Sequence, residues 1–309
     1  MYKNILVVIN PDTEKQPALV RAINIAKQQP IVKITALVTI YDFSYDMTSI
    51  LSPDARKAMR LGMLRQKQAW LTKICQPYLD QKFNIEIKAR WYNHTFEAVL
   101  KYAYKRHVDL IIKATRDHNL LESMIFTPTD WHLLRKSACP VLLVDDKPIP
   151  LHTNIIAAVD LTSDDENGLK FNHKIIQEAQ KVATILQGTL NIVNAYPATP
   201  SNINVELPEF DPISYTEAIK KHHLSVMKEL RETFNIPKER TFVKVGQAEH
   251  VIPDLAKEMD AQVVVMGTQG RTGLSATFIG NTAESTIDKL HCDLFALKPD
   301  GFISVYHKD

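Results

Sequence analysis

Short apolar runs alternate along the chain with longer segments in which apolar residues recur at helical spacing. Runs such as 5–9 and 263–266 are almost wholly apolar and rich in β-branched residues, which is typical of parallel strands buried on both faces. The pattern predicts strands at 3–10, 31–40, 84–91, 108–114 and 140–144, then at 153–160, 188–195, 240–245, 261–267 and 293–298. It predicts helices in the intervals, among them 54–79, 96–106, 165–186, 217–234 and 251–259. The alternation of strands with helices predicts an α/β fold.

The two halves of the sequence repeat each other. Three apolar blocks recur in the same order at offsets of 150 to 153 residues: 4–10 with 154–160, 108–115 with 261–268, and 139–144 with 292–297. This regularity indicates a tandem duplication. Pro148 and Pro150 mark the linker, so we predict domains at 1–147 and 152–309. Each is predicted to be a five-stranded doubly wound unit, a fold that binds ligands at the carboxyl ends of its strands.

Composition restricts the class of protein. The chain has 309 residues, 45% of them hydrophobic and 23% charged, which excludes a disordered chain. Its net charge of +2 gives no case for a nucleic-acid or membrane partner. The cysteines, Cys75, Cys139 and Cys292, form no CxxC pair, which excludes a disulfide scaffold and suits a reducing compartment. With a short N-terminal apolar run and no long apolar segment, we expect a cytoplasmic protein.

Glycine is concentrated in one segment of the second half. Of nine glycines, four lie within 14 residues after the predicted strand 261–267: Gly267, Gly270, Gly273 and Gly280. Glycine permits positive φ or close approach of the main chain to a ligand, and Gly280 and Asn281 precede a predicted helix at 282–290. A helix start offers free N–H groups to an anion, so the segment predicts a phosphate site. The alternative is a tight turn with no ligand, in which Asn281 caps the helix.

The spacing Gly267-x2-Gly270-x9-Gly280 resembles that of the ATP-binding type of the universal stress protein family, and the duplication resembles its tandem form. The resemblance implies two Rossmann-like (adenine nucleotide alpha hydrolase-like) domains with strand order 3-2-1-4-5 and ATP across the strand ends. It also implies an internal pseudo-dimer of the two domains and cytoplasmic roles in resistance to DNA damage and oxidative stress and in motility or adhesion. The sequence has neither a Walker A motif nor a fitting G-x-G-x-x-G.

The resemblance places nucleotide-binding residues at nine positions of the second domain: Ala158, Asp160, Ala195, Met266, Gly267, Gly270, Gly280, Asn281 and Thr282. It implies that Asp160 lies near the ribose and adenine, that main-chain groups of Ala195 read the adenine edge, and that Met266 packs beside the base. The glycines then let the backbone approach the phosphates, and the last three positions supply N–H donors. Asn281 departs from the family, which has Ser or Thr there. The alternative for Asp160 is a carboxylate that only closes a turn.

The first half lacks these features. Ala114, Asp117, Thr127 and Pro128 stand for Gly267, Gly270, Gly280 and Asn281, and Asn10 stands for Asp160. A carboxylate at 117 repels phosphate, and proline at 128 has no N–H to donate. We therefore predict that the first domain does not bind ATP in the usual way.

The leading hypothesis is a nucleotide-binding stress-response protein, since no residues form a nucleophile, base and orienting group. Two alternatives stay open: a slow ATPase that uses a divalent cation, and a binding module for a nucleotide-sugar or an amphiphilic phosphorylated metabolite. A homodimer is a further candidate assembly. His222 and His223 are predicted to lie on a solvated helix surface, and no metal site is predicted.

Overall fold

The computed structural model describes residues 2–44, 52–115, 124–162, 165–198, 211–268, 279–304 and 306. The chain forms two compact units. The first comprises Met1–Asn119, Ile125–Lys147 and Ile303–Asp309, and the second comprises Leu120–Met124 and Pro148–Phe302. Gly270, Gly273 and Asp117, which the sequence analysis singled out, lie outside the described residues.

The described part of the first unit is a parallel sheet with helices. Its strands are β1 (Asn4–Ile9), β2 (Lys33–Ile40), β3 (Ile85–Trp91), β4 (Leu110–Ala114) and β5 (Val141–Val144). Its helices are α1 (Pro17–Gln28), α2 (Pro53–Asp80), α3 (Thr95–Lys105) and α4 (Pro128–Lys136). The strands pair in the order β3-β2-β1-β4-β5, all in parallel.

The second unit repeats this arrangement in its described part. Its strands are β6 (Asn154–Ala158), β7 (Thr189–Tyr196), β8 (Thr241–Val245), β9 (Ala261–Gly267) and β10 (Asp293–Leu297). Its helices are α5 (Glu166–Leu186), α6 (Pro212–Thr233), α7 (Ala248–Glu258) and α8 (Asn281–Ile287). The strands pair in parallel in the order β8-β7-β6-β9-β10. The predicted α/β class is confirmed, and each predicted strand is present to within two residues at either end.

The core of each unit lies around its central strands. Leu6 and Val7 of β1, and Val264 and Val265 of β9, have no exposed surface. Complete burial of such a side chain stabilises the fold by about 1.5–3 kcal/mol. Because parallel strands are covered by helices on both faces, their apolar residues run without alternation, which is why the sequence predicted them well.

Helix α2 is less buried than the central elements. Leu71 and Cys75 are its buried residues in the described chain, whereas Met59 and Leu61 are 43% and 45% exposed. None of the described helices combines the length and apolar character needed to cross a bilayer.

Candidate functional site

The register of the second sheet brings most of the predicted binding residues to one edge. Ala158 of β6 pairs with Met266 of β9 and with Val193 of β7. Asp160 lies two residues after Ala158, and Ala195 lies two residues after Val193. Because Ala158 and Val193 are paired, Asp160 and Ala195 lie at the same height along the two strands, beyond the position of Met266. The carboxyl ends of parallel strands meet at this edge, where doubly wound folds bind ligands.

Asp160 is held in place at the exposed end of β6. Its N–H donates to Oδ1 of Asn172 over 3.1 Å, and Nδ2 of Asn172 donates to its carbonyl over 2.7 Å. Its carboxylate oxygen Oδ1 accepts hydrogen bonds from N–H and Oγ1 of Thr162, at 3.1 and 2.6 Å. The turn predicted as the alternative role for Asp160 is therefore present. The same contacts hold an exposed carboxylate in one orientation.

Gly267 has a packing reason for its missing side chain. A Cβ at this position would lie 2.4 Å from Cε1 of Phe171, a residue of α5, which is far inside contact distance. In the first unit the equivalent residue is Ala114. The sequence suggested positive φ, a tight turn or the approach of a phosphate as reasons for Gly267, and this packing contact was missed.

A buried aromatic pair lies beside Ala195. The next residue, Tyr196, is 5% exposed and stacks on His223 of α6, with ring centroids 4.7 Å apart and an interplanar angle of 17°. His223 is 3% exposed, so the prediction of a solvated surface was wrong for this histidine. The physical reason is that α6 places the face that carries His223 against the end of β7. Sequence spacing alone does not show which helix face meets a strand.

The segment 280–282 opens helix α8. Gly280 occupies the N-cap position without a side-chain cap, and Asn281 is the first helical residue. Asn281 is therefore not the N-cap that the sequence analysis weighed as an alternative, and the helix begins one residue before the predicted 282 and ends at Ile287 rather than 290. Both Asn281 and Thr282 are exposed.

The first unit carries a built-in anion at the corresponding place. Asp130 of α4 is fully buried, and its carboxylate accepts a hydrogen bond from the N–H of Thr127 at 2.6 Å. The N–H of Asp130 donates in return to Oγ1 of Thr127 over 3.3 Å, which completes a capping box at the start of α4. Pro128 is the first residue of this helix, as Asn281 is of α8. The start of α4 is thus already satisfied by a carboxylate of the chain.

A lysine neutralises this carboxylate from β4. Nζ of Lys113 lies 2.8 Å from Oδ1 of Asp130 and donates to the carbonyl of Ala114 over 2.8 Å. Lys113 pairs with Val8 of β1 as Met266 pairs with Ala158 of β6, so the lysine takes the place of Met266. Ala283 stands at the position equivalent to Asp130. This ion pair was not predicted, although the sequence carries two signals for it: a lysine in an apolar strand and a Thr-x-x-Asp before a helix.

The comparisons with known proteins agree with this geometry. The model of the universal stress protein family matches residues 1–145 and 152–298. The chain belongs to the universal stress protein family. It is 48% identical to universal stress protein E of Salmonella typhi over 98% of this chain and 96% of that protein. It is 40% identical to the universal stress protein E homolog of Haemophilus influenzae over 96% of this chain and 98% of that protein.

A solved structure is similar to the whole chain. The crystal structure of a functionally unknown protein from Pseudomonas aeruginosa is similar over 99% of this chain and 96% of that chain, with a TM-score of 0.78 and 28% identity. The family resemblance drawn from the glycine spacing and the duplication is therefore confirmed. As a universal stress protein with two family domains, the chain belongs to a stress-response family in its tandem form.

Proposed function

We propose that the second domain of this universal stress protein binds ATP or a related phosphorylated nucleotide, with or without a divalent cation, and that the first domain does not. The observation that supports this most directly is the strand register at the carboxyl edge of the second sheet. It brings Asp160, Ala195 and the pair Met266–Gly267 to one end of three adjacent strands. The match of the universal stress protein family to residues 152–298 supports the proposal further, because the glycine spacing of this half resembles the family's ATP-binding type.

The site chemistry suits a nucleoside. An exposed carboxylate such as that of Asp160 accepts hydrogen bonds from two neighbouring hydroxyls, as a ribose offers. Ala158 and Met266 are 8% and 5% exposed and provide an apolar surface beside it for a base. In this proposal, main-chain groups of Ala195 read the base edge, and those of Gly267 bind phosphate on the side away from the Phe171 ring.

Paired substitutions test this function. We expect Asp160→Ala to weaken ATP binding at least tenfold, because it removes the carboxylate that would accept hydrogen bonds from the ribose. The matched control is Asn10→Ala, at the equivalent position in the first unit, which we expect to leave ATP affinity unchanged. Isothermal titration calorimetry of both variants against ATP, a nucleotide-sugar and a phosphorylated lipid analogue measures the effect. If Asn10→Ala weakens binding as much as Asp160→Ala, the assignment to the second domain fails.

The cellular role follows from family membership in this proposal. We infer a cytoplasmic protein that contributes to resistance to DNA damage and oxidative stress and to motility or adhesion. The two domains of one chain would then replace the two protomers of a dimer. Complementation of a deletion strain with the wild-type or Asp160→Ala gene, after ultraviolet or peroxide exposure, tests whether the nucleotide site is needed. Equal survival with both genes would separate the stress role from nucleotide binding.

A further inference from the structure

Lys298 carries a buried amino group at the carboxyl end of β10. Its side chain is 4% exposed, and its Nζ lies 5.1 Å from the centroid of the Phe302 ring. Within the described residues, this Nζ has no hydrogen-bond partner. Burial lowers the pKa of Lys298 to about 8, so most molecules still carry the charge at neutral pH. A buried cation is unfavourable unless it is paired or hydrogen-bonded, and the described part of the chain supplies no hydrogen bond to this one.

The position of Lys298 connects it with the candidate site. The residue before it, Leu297, pairs with Gly267, and the carbonyl of Leu297 accepts hydrogen bonds from N–H and Oγ1 of Thr268 at 3.1 and 3.3 Å. Lys298 therefore lies one residue beyond the strand pair at which the glycine-rich segment begins. Phe171, which packs on Gly267, lies three residues before Lys174 on α5.

Lys174 adds a second ammonium group here. Its Nζ donates to the carbonyl of Lys298 over 2.9 Å and to the carboxylate of Asp300 over 2.6 Å. Asp300 is the charged group on the turn after Lys298, and its side chain is 87% exposed and already paired with Lys174. Thr268, on the β9 side, is neutral. Among these charged groups, the ammonium groups of Lys174 and Lys298 outnumber the one carboxylate of Asp300.

The first unit has the opposite charge at the equivalent position. Ala114 pairs with Val144 as Gly267 pairs with Leu297, so Asp145 corresponds to Lys298. The pKa of Asp145 is raised, because burial raises it more than the charges of Lys147 and Arg21 lower it. The first unit therefore supplies its own carboxylate at the end of its last strand. The second unit supplies a cation there instead, which suits an anion that comes from a ligand.

We propose that the Lys298 ammonium binds the polyphosphate group of the nucleotide at the carboxyl edge of the second sheet. This inference rests on the proposed nucleotide function and names a residue that neither the glycine spacing nor the family resemblance indicated. A phosphate oxygen at Nζ would provide the hydrogen bonds and the counter-charge that the buried ammonium requires. Binding then favours the protonated lysine and raises its pKa, so affinity decreases as the pH rises above about 8.

Calorimetric titration of the full chain with ATP, adenosine and inorganic pyrophosphate tests the proposal. We expect Lys298→Met to weaken ATP and pyrophosphate binding at least tenfold and to leave adenosine binding within twofold of wild type. Lys298→Arg should retain most of the affinity, because it keeps the charge. The control is Lys170→Met on α5, which removes one positive charge whose side chain is 68% exposed and paired with Glu166. It should change none of the three affinities more than twofold.

The pH profile and the three ligands separate the outcomes. We expect the wild-type affinity for ATP to decrease between pH 7 and pH 9.5 and the Lys298→Met variant to lose that dependence. If wild type binds ATP but Lys298→Met and Lys298→Gln, both folded by circular dichroism, bind it within twofold, the inference fails and the nucleotide function stands. If pyrophosphate binds through Lys298 but ATP does not bind, the anion site stands and the nucleotide function fails. If neither ligand binds to wild type, both fail.

Discussion

Two contacts show how single side chains distinguish the edges of the two sheets. In the second unit, the ring of Phe171 occupies the space that a side chain at Gly267 would need. In the first unit, Lys113 and Asp130 form a buried ion pair at the positions of Met266 and Ala283. Neither contact joins sequence neighbours. Each depends on a helix that returns to the sheet, so the chemistry of the edge is decided by tertiary partners.

Gly267→Ala should destabilise the protein by about 1–3 kcal/mol, because the new methyl group forces the Phe171 ring out of its rotamer. Adding Phe171→Ala should recover part of this loss, since the ring that the new methyl group would meet is then removed. Urea denaturation of the single and double variants measures the coupling. Ala114→Gly is the control and should cost only about 0.5–1 kcal/mol, the usual effect of glycine in a strand. Strictly additive effects of Gly267→Ala and Phe171→Ala would contradict the contact.

The residues that the sequence predicted and those that it missed differ in a physical way. The family resemblance implied Asp160, Ala195 and Met266 as binding residues, and the strand ends that carry them are local features of the sequence. Phe171 and Asp130 were missed because their roles depend on which helix face meets the sheet. Lys298 was missed because a lysine at a strand end is usually solvated, and only the fold shows that it is buried.

At the scale of elements, charge supports the edge strand of the first sheet. Glu86 of β3 binds Lys33 of β2 at 2.7 Å and Lys88 of its own strand at 2.6 Å. The hydrogen bonds from Lys33 and Lys88 lower the pKa of Glu86 to about 2. Strand β3 is paired on one side within the first unit, so these contacts add to its attachment to β2.

The stabilising effect of Glu86 should depend on pH. Its pKa in the folded protein is below its unfolded value, so its contribution is present above about pH 4.5 and is lost as the pH falls toward 2. We expect Glu86→Gln to destabilise the protein by about 0.5–1 kcal/mol at pH 7, since the partners are partly exposed and solvent screens the pair. Urea denaturation at pH 7, 5, 4 and 3 should show the difference from wild type shrinking below pH 4.5. A difference that stays constant down to pH 3 would contradict this origin.

At the scale of the whole molecule, one fold serves two domains with different charge at the same edge. The first unit places carboxylates at Asp130 and Asp145, where the second has Ala283 and Lys298. Binding chemistry resides in such positions rather than in the fold, because the strand order is the same in both units. Under the proposed function, the duplication retains two sheets and the second edge accepts the anion.

The difference in charge between the two sheet edges predicts about one bound nucleotide per chain. It also predicts which substitutions abolish that binding. Met266→Lys combined with Ala283→Asp transfers the ion pair of the first unit to the second. We expect this double variant to stay folded and to lose ATP binding, because the new carboxylate would take up the N–H of Gly280 as that of Asp130 takes up the N–H of Thr127. Both changes are needed together, since one buried charge without the other costs about 3–5 kcal/mol.

The reverse exchange is the control for that experiment. Lys113→Met combined with Asp130→Ala removes the pair from the first unit, but Pro128 still lacks the N–H that a phosphate would need. We therefore expect the stoichiometry to remain near one in this variant, as in wild type, and to fall toward zero only in the variant of the second unit. Calorimetric titration with ATP measures all three proteins. Two equal sites in the wild type, or undiminished binding in the Met266→Lys, Ala283→Asp variant, would contradict the view that built-in anions decide which domain binds.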